Sequence, residues 1–108
     1  PLLERIVTRL KQSVRSQLLH LLAMIEYEID EYDERFLRHL ALGYTKEQIT
    51  NLRGMPFGVK SLEKRQNELI RKLFPEGKAG MSVNATRLAV RALEVRIIDI
   101  DNLTPDEE

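Results

Sequence analysis

From Leu3 onward the apolar residues Val7, Leu10, Val14, Leu18, Leu21, Ile25 and Ile29 follow one another at steps of three or four, with no Pro or Gly between them. This is the recurrence of one helix face, and it predicts a single amphipathic helix over residues 2–29, about eight turns long. Leu2, Ile6, Leu19 and Leu22 widen the face beyond a narrow coiled-coil seam. Cations (Arg5, Arg9, Lys11, Arg15) occupy its first half and acids (Glu26, Glu28, Asp30) its end. Cations at a helix start oppose the macrodipole. An antiparallel second copy would set the basic half against the acidic end.

Beyond residue 30 the pattern breaks into shorter pieces. Asp30 or Asp33 is placed to cap a second helix bearing Phe36, Leu37 and Leu40, which Gly43 ends. Thr45, with Gln48 three residues on, forms a capping box for a short third helix whose Ile49 and Leu52 point inward. Gly54, Pro56 and Gly58 supply turn chemistry before a fourth helix over about 59–73, with Leu62, Leu69, Ile70 and Leu73 as its buried side. Residues 74–80 read as a loop. Ser82 or Asn84 then starts a last helix, whose apolar side is Leu88, Ala89, Ala92, Leu93 and Val95 to Ile98. The tail after Leu103 is acidic and is expected to fray.

These elements define an all-α fold, a helix-turn-helix four-helix domain preceded by a long amphipathic N-terminal helix. The divisions are 1–30 for a linker or dimerisation helix, 31–103 for the domain and 104–108 for the acidic tail. At 108 residues, 43% of them hydrophobic and 31% charged, the chain has the composition of one folded domain. No apolar run is long enough to span a bilayer, which excludes a membrane helix and points to the cytoplasm. The absence of Cys removes disulfides, thiolate catalysis and Cys-ligated metal, and fits a reducing compartment. The chain opens on Pro1 without Met, the expectation for a piece of a longer protein.

Charge is the feature most at odds with a polyanionic partner, because 17 basic residues balance 17 acidic ones. Phosphate contacts supply much of the affinity for nucleic acid, so a neutral domain has to concentrate its cations locally. Residues 59–73 do so: Lys60, Lys64, Arg65, Arg71 and Lys72 outnumber Glu63 and Glu68, a net +3.

The order of the helices and several residues resemble the LuxR/NarL-type DNA-binding effector domain of bacterial response and quorum regulators, over about Ile29 to Ile98. An acidic, leucine-rich helix (Asp33, Glu34, Phe36, Leu37, Leu40, Ala41) leads into Gly43, Tyr44, Thr45 and Ile49. Ser61, Leu62, Leu69, Ile70, Arg71, Lys72 and Leu73 match the recognition helix, with Gln66 where that family has an apolar residue. Ala92, Leu93, Ile97 and Ile98 look like its fourth, dimerising helix. The chain departs from the pattern in a turn about two residues longer, in Glu63 where a basic contact is common, in a longer loop at Pro75 to Val83, and in Arg96 at a family Gly.

The resemblance implies a DNA-binding output domain of a two-component response regulator. Its partners would be double-stranded DNA and a second copy, held through residues 2–29 or the last helix, with an upstream sensor or receiver domain absent from this chain. Lys60, Ser61, Lys64, Arg65, Gln66 and Arg71 would face the groove or its phosphates, with Arg65 suited to guanine and Gln66 to adenine. Thr45, Lys46 and the free amides at that helix start would hold a phosphate. The alternative is a helix-turn-helix-derived protein-interaction module that does not bind DNA, favoured by the neutral charge, Glu63 and the longer turn.

Other chemistry finds no footing. His20 and His39 lack helical metal-ligand spacing to each other or to a Glu, so neither a metal nor another cofactor is expected. The acids from Glu26 to Glu34 lack the glycine-bearing calcium-loop pattern. Gly77 and Gly80 flank Lys78 without the spacing of a phosphate loop, and Ser61 has no neighbouring base. The chain reads as a non-enzyme.

Overall fold

Three of the helix stops are built the same way, by a left-handed residue that turns the chain back on the last carbonyls. The computed structural model describes residues 2–75 and 83–108. α1 spans Leu2–Glu26 and stops three residues short of the expected end. Glu28 takes φ 55°, and the amide of Ile29 then donates to the Met24 carbonyl at 2.8 Å. This arrangement satisfies terminal carbonyls and drops Ile29 into the core.

α2, Glu31–Ala41, begins at once. Asp30 and Asp33 both cap it: the Asp33 amide donates to Asp30 Oδ1 at 2.7 Å and the Asp30 amide to Asp33 Oδ2 at 3.3 Å. Gly43, at φ 91°, closes the helix, and the Tyr44 amide donates to the His39 carbonyl. The short α3, Lys46–Thr50, carries the expected box between Thr45 and Gln48. Residues 51–58 then turn through Gly54, at φ 75°, into α4, Val59–Leu73.

α5 spans Ala85–Glu94 and is capped by Asn84, whose Oδ1 accepts from the Arg87 amide at 2.8 Å. The alternative cap Ser82, like Gly77, Lys78 and Gly80, lies outside the described residues. The helix was expected to carry Val95 to Ile98, but it ends at Glu94. Arg96 adopts φ 67° and the Ile97 amide donates back to the Ala92 carbonyl. Ile97 and Ile98 are nevertheless fully buried, reached by the turn rather than by the helix. A 3-10 turn, Ile100–Asn102, precedes the C-terminal residues.

The fold is all-helical, with no strand among the described residues. α5 packs against α2 and α4, and α3 lies on α4. Phe36, Leu37, Ile49, Leu62, Leu69, Leu73, Leu88 and Ile97 fill the space between them, each contributing roughly 1.5–3 kcal/mol by leaving water. α1 adds little to this core. Only Ala23 of the helix is buried, with Met24 and, just beyond, Tyr27 packed at the edge.

The acidic tail does not fray. The Asp106 amide donates to His39 Nε2 at 2.9 Å, its carboxylate takes Arg35 Nε at 2.6 Å and Arg38 at 2.9 Å, and the Arg53 amide donates to the Glu107 carbonyl. Two arginines on α2 supply the charge that local sequence at the tail lacks. His39 is completely buried. Because its Nε2 accepts, its proton sits on Nδ1 and is donated to the Arg35 carbonyl at 2.6 Å. Burial, together with the neighbouring Arg38, lowers its pKa.

Candidate nucleic-acid interface

α4 is buried along Leu62, Leu69 and Leu73, and the opposite side of the same helix is open to solvent. Lys60, Lys64, Asn67 and Arg71 lie on that side at steps of four, three and four, so they form one row, with Ser61, Glu63 and Glu68 beside it. Lys60, Lys64 and Arg71 enter no ion pair among the described residues. Their three charges oppose two carboxylates, which leaves the exposed face a net +1 rather than the +3 of the whole segment.

The difference lies in Arg65 and Lys72. Arg65 does not point outward, as the reading of it as a guanine contact required. Its Nη1 lies 2.8 Å from Asp33 Oδ1 and 3.1 Å from Asp30 Oδ2, and its guanidinium stacks 4.1 Å from the Phe57 ring centre, with Tyr32 packed edge-on against that ring. A carboxylate pair at the start of α2 and an aromatic face together hold it in place. Burial works against the charge of Arg65, and the two aspartates more than offset it, raising the pKa. Asp33 is raised by burial and by the adjacent Asp30, whereas Asp30, despite its own desolvation, is lowered by the Asp33 amide and Arg65. Lys72 donates to the Glu28 carbonyl at 2.7 Å, steadying the left-handed turn after α1.

Gln66 is also drawn inward. Its Oε1 is buried and has no hydrogen-bond partner among the described residues, so this side chain does not present its amide oxygen on the open face. The Thr45 hydroxyl is occupied as a cap, accepting from the Gln48 amide at 3.2 Å. Lys46, half-exposed in the first turn of α3, remains the residue there that can meet a phosphate. The structure thus gathers Lys60, Ser61, Lys64 and Arg71 on one face and takes Arg65 and Gln66 off it. Asn67 was missed. Its place in the row follows from counting four, three, four along a helix, a signal present in the sequence.

Residues 1–108 match the family of unknown function DUF5932 over their whole length. The chain belongs to that family. No curated protein and no solved structure matches it. In this DUF5932 chain a concavity lies between α1 and the C-terminal turn. This open groove of about 830 Å³ is lined by Arg15, His20, Glu34, Arg96, Asp99 and Asp101 among others, and His20 Nδ1 sits 3.3 Å from the Arg96 carbonyl. Acids and bases are mixed along it. Among the described residues no cluster of His, Cys, Asp or Glu has the geometry to hold a metal, and no helix is long and apolar enough to cross a membrane.

Proposed function

We propose that this domain is the DNA-binding output module of a bacterial transcription regulator, of the two-component response-regulator kind, reading the major groove with α4 as a dimer. The observation that carries the reading is the row Lys60, Lys64, Asn67 and Arg71: polar, exposed, in no ion pair among the described residues, and set on a helix whose other side is anchored by three buried leucines. α3 and the turn through Gly54 hold the start of that helix, as a groove-reading helix needs. Asn67 is suited to the paired donor and acceptor of adenine, and Arg71, Lys60 and Lys64 to phosphate or guanine. With a net +1 face, electrostatic attraction is modest, so two copies on one site would have to supply much of the affinity.

Selection from a pool of random duplexes at two salt concentrations tests this. Enrichment of a palindromic motif is expected, with log K falling against log salt at a slope of about −5 if six cations of a dimer meet phosphate. Lys64→Ala should weaken binding to every sequence and flatten the slope by about 2 per dimer, whereas Asn67→Ala should relax one position of the motif by ~1–3 kcal/mol. A folded protein that retains no duplex at low salt sinks the proposal. The inward placement of Arg65 favours a second reading in that event, a helix-turn-helix-derived module that binds protein.

A further inference from the structure

α1 has two opposite faces with different fates. Ser16, Leu19, His20, Ala23, Met24 and Tyr27 are the partly or fully covered residues, and they lie toward the domain. The apolar stripe is on the far side. Leu3 is 74% exposed, Val14 64% and Ile25 75%, and Leu10, Leu18 and Leu21 are all more than half exposed. The domain cannot cover this stripe, because it already occupies the other face of the same helix. The seven side chains of the stripe expose an area on the order of 700 Å², above the usual largest patch of a monomer and close to what each partner buries in a stable interface.

We infer that the stripe Leu3, Val7, Leu10, Val14, Leu18, Leu21 and Ile25 is a dimer seam, and that its occupant is the same stripe of a second copy in parallel, in-register orientation. The spacing is four, three, four, four, three, four, so Leu3, Val14 and Ile25 recur every eleven residues. An eleven-residue recurrence advances about 3.67 residues per turn, which keeps the stripe straight along the helix and gives two such helices a slight right-handed twist. In seam terms, β-branched Val7, Val14 and Ile25 alternate with Leu3, Leu10 and Leu21, the composition that favours two parallel strands, with Leu18 at the step where the pattern shifts.

Charge decides orientation. Lys11 and Arg15 lie on one flank of the stripe, and Ser13 and Gln17 on the other. Antiparallel pairing centred on Val14 sets like flanks together and gathers Lys11 and Arg15 of both copies around the dyad. Parallel pairing sets opposite flanks together, so those cations meet Ser13 and Gln17 instead. The division of charge between the ends of α1, which suggested an antiparallel pair, carries less weight, since Arg5 and Arg9 point away from the seam. The inference rests on α1 alone, and its test contains no DNA, so it stands or falls separately from the groove-reading proposal.

Since the chain contains no cysteine, single-cysteine variants of the whole protein report orientation directly. Under mild oxidation Leu3→Cys, Val7→Cys and Ile25→Cys should each form disulfide-linked dimers in high yield. Sedimentation equilibrium should show a dimer whose dissociation constant rises on the order of 100-fold in Val14→Lys, with the thermal transition of the domain retained because that side chain is exposed. A concentration-independent monomer would overturn the inference, as would cross-linking confined to Val14→Cys, the signature of antiparallel pairing.

Discussion

The guanidinium of Arg65 lies 2.8 Å from the carboxylate of Asp33, joining the middle of α4 to the first turn of α2 across 32 residues of chain. Asp33 is almost wholly buried, and it both caps α2 and accepts this charge. The contact orients α4 against the domain, so the exposed row of that helix is set by a residue that takes no part in it.

Arg65→Ala should therefore destabilise the fold by about 2 kcal/mol, because it leaves a buried carboxylate without its cation. Arg65→Lys should recover only part of this, lacking both the fork that reaches two aspartates and the plane that stacks on Phe57. Urea denaturation of the two variants measures the difference. A wild-type midpoint in Arg65→Ala would remove the contact from the list of stabilising interactions.

The tail clasp predicts two acid-sensitive windows. His39 has a pKa lowered by burial, so the unfolded chain takes up a proton that the fold does not. Stability should fall as pH drops below the ordinary histidine value of about 6.5. Asp106 is held down to about 2 by hydrogen bonds from Arg38 and Arg35. Its contribution is present above the ordinary carboxylate value and is lost as pH falls from about 4 to about 2, amounting to about 1–2 kcal/mol after screening by solvent. Thermal melts across pH 7.5 to 2 should show both declines, and Asp106→Asn should shrink the lower one, leaving the part that Asp30 contributes.

Gln66 offers a stabilising substitution. Its Oε1 is buried without a hydrogen-bond partner among the described residues. Gln66→Leu should raise stability by about 1 kcal/mol and leave any duplex affinity unchanged. A loss of affinity at equal stability would restore Gln66 to the binding face.

Arg96 holds a conformation that L-residues adopt at a cost. At φ 67° it closes α5 in the left-handed region, which glycine adopts without strain. Arg96→Gly should stabilise by about 1 kcal/mol, and calorimetry that shows destabilisation instead would mean that the arginine side chain contributes more than the strain it brings.

The sequence was most legible where a structural decision is local. Thr45 with Gln48, and Asp30 with Asp33, each settle a helix start within four residues, and the leucines of α4 announce their buried side by spacing alone. The pairing of Arg65 with Asp33 and of His39 with Asp106 was not legible. No periodicity links residues 32 or 67 positions apart, and an arginine on a polar helix face looks the same whether it points to solvent or to a neighbouring helix. The same limit applies to α1, whose stripe was plain as a pattern while the side covered by the domain depended on how the turn at Glu28 aims the helix.

That turn has a mechanical consequence. The domain grips α1 only along its last third, so the preceding fifteen or so residues form a stiff arm of about 22 Å. A tilt of about 10° at the grip would carry the far end of the arm through about 4 Å, and the Lys72 hydrogen bond to the Glu28 carbonyl sits at the fulcrum, connecting that displacement to the last turn of α4.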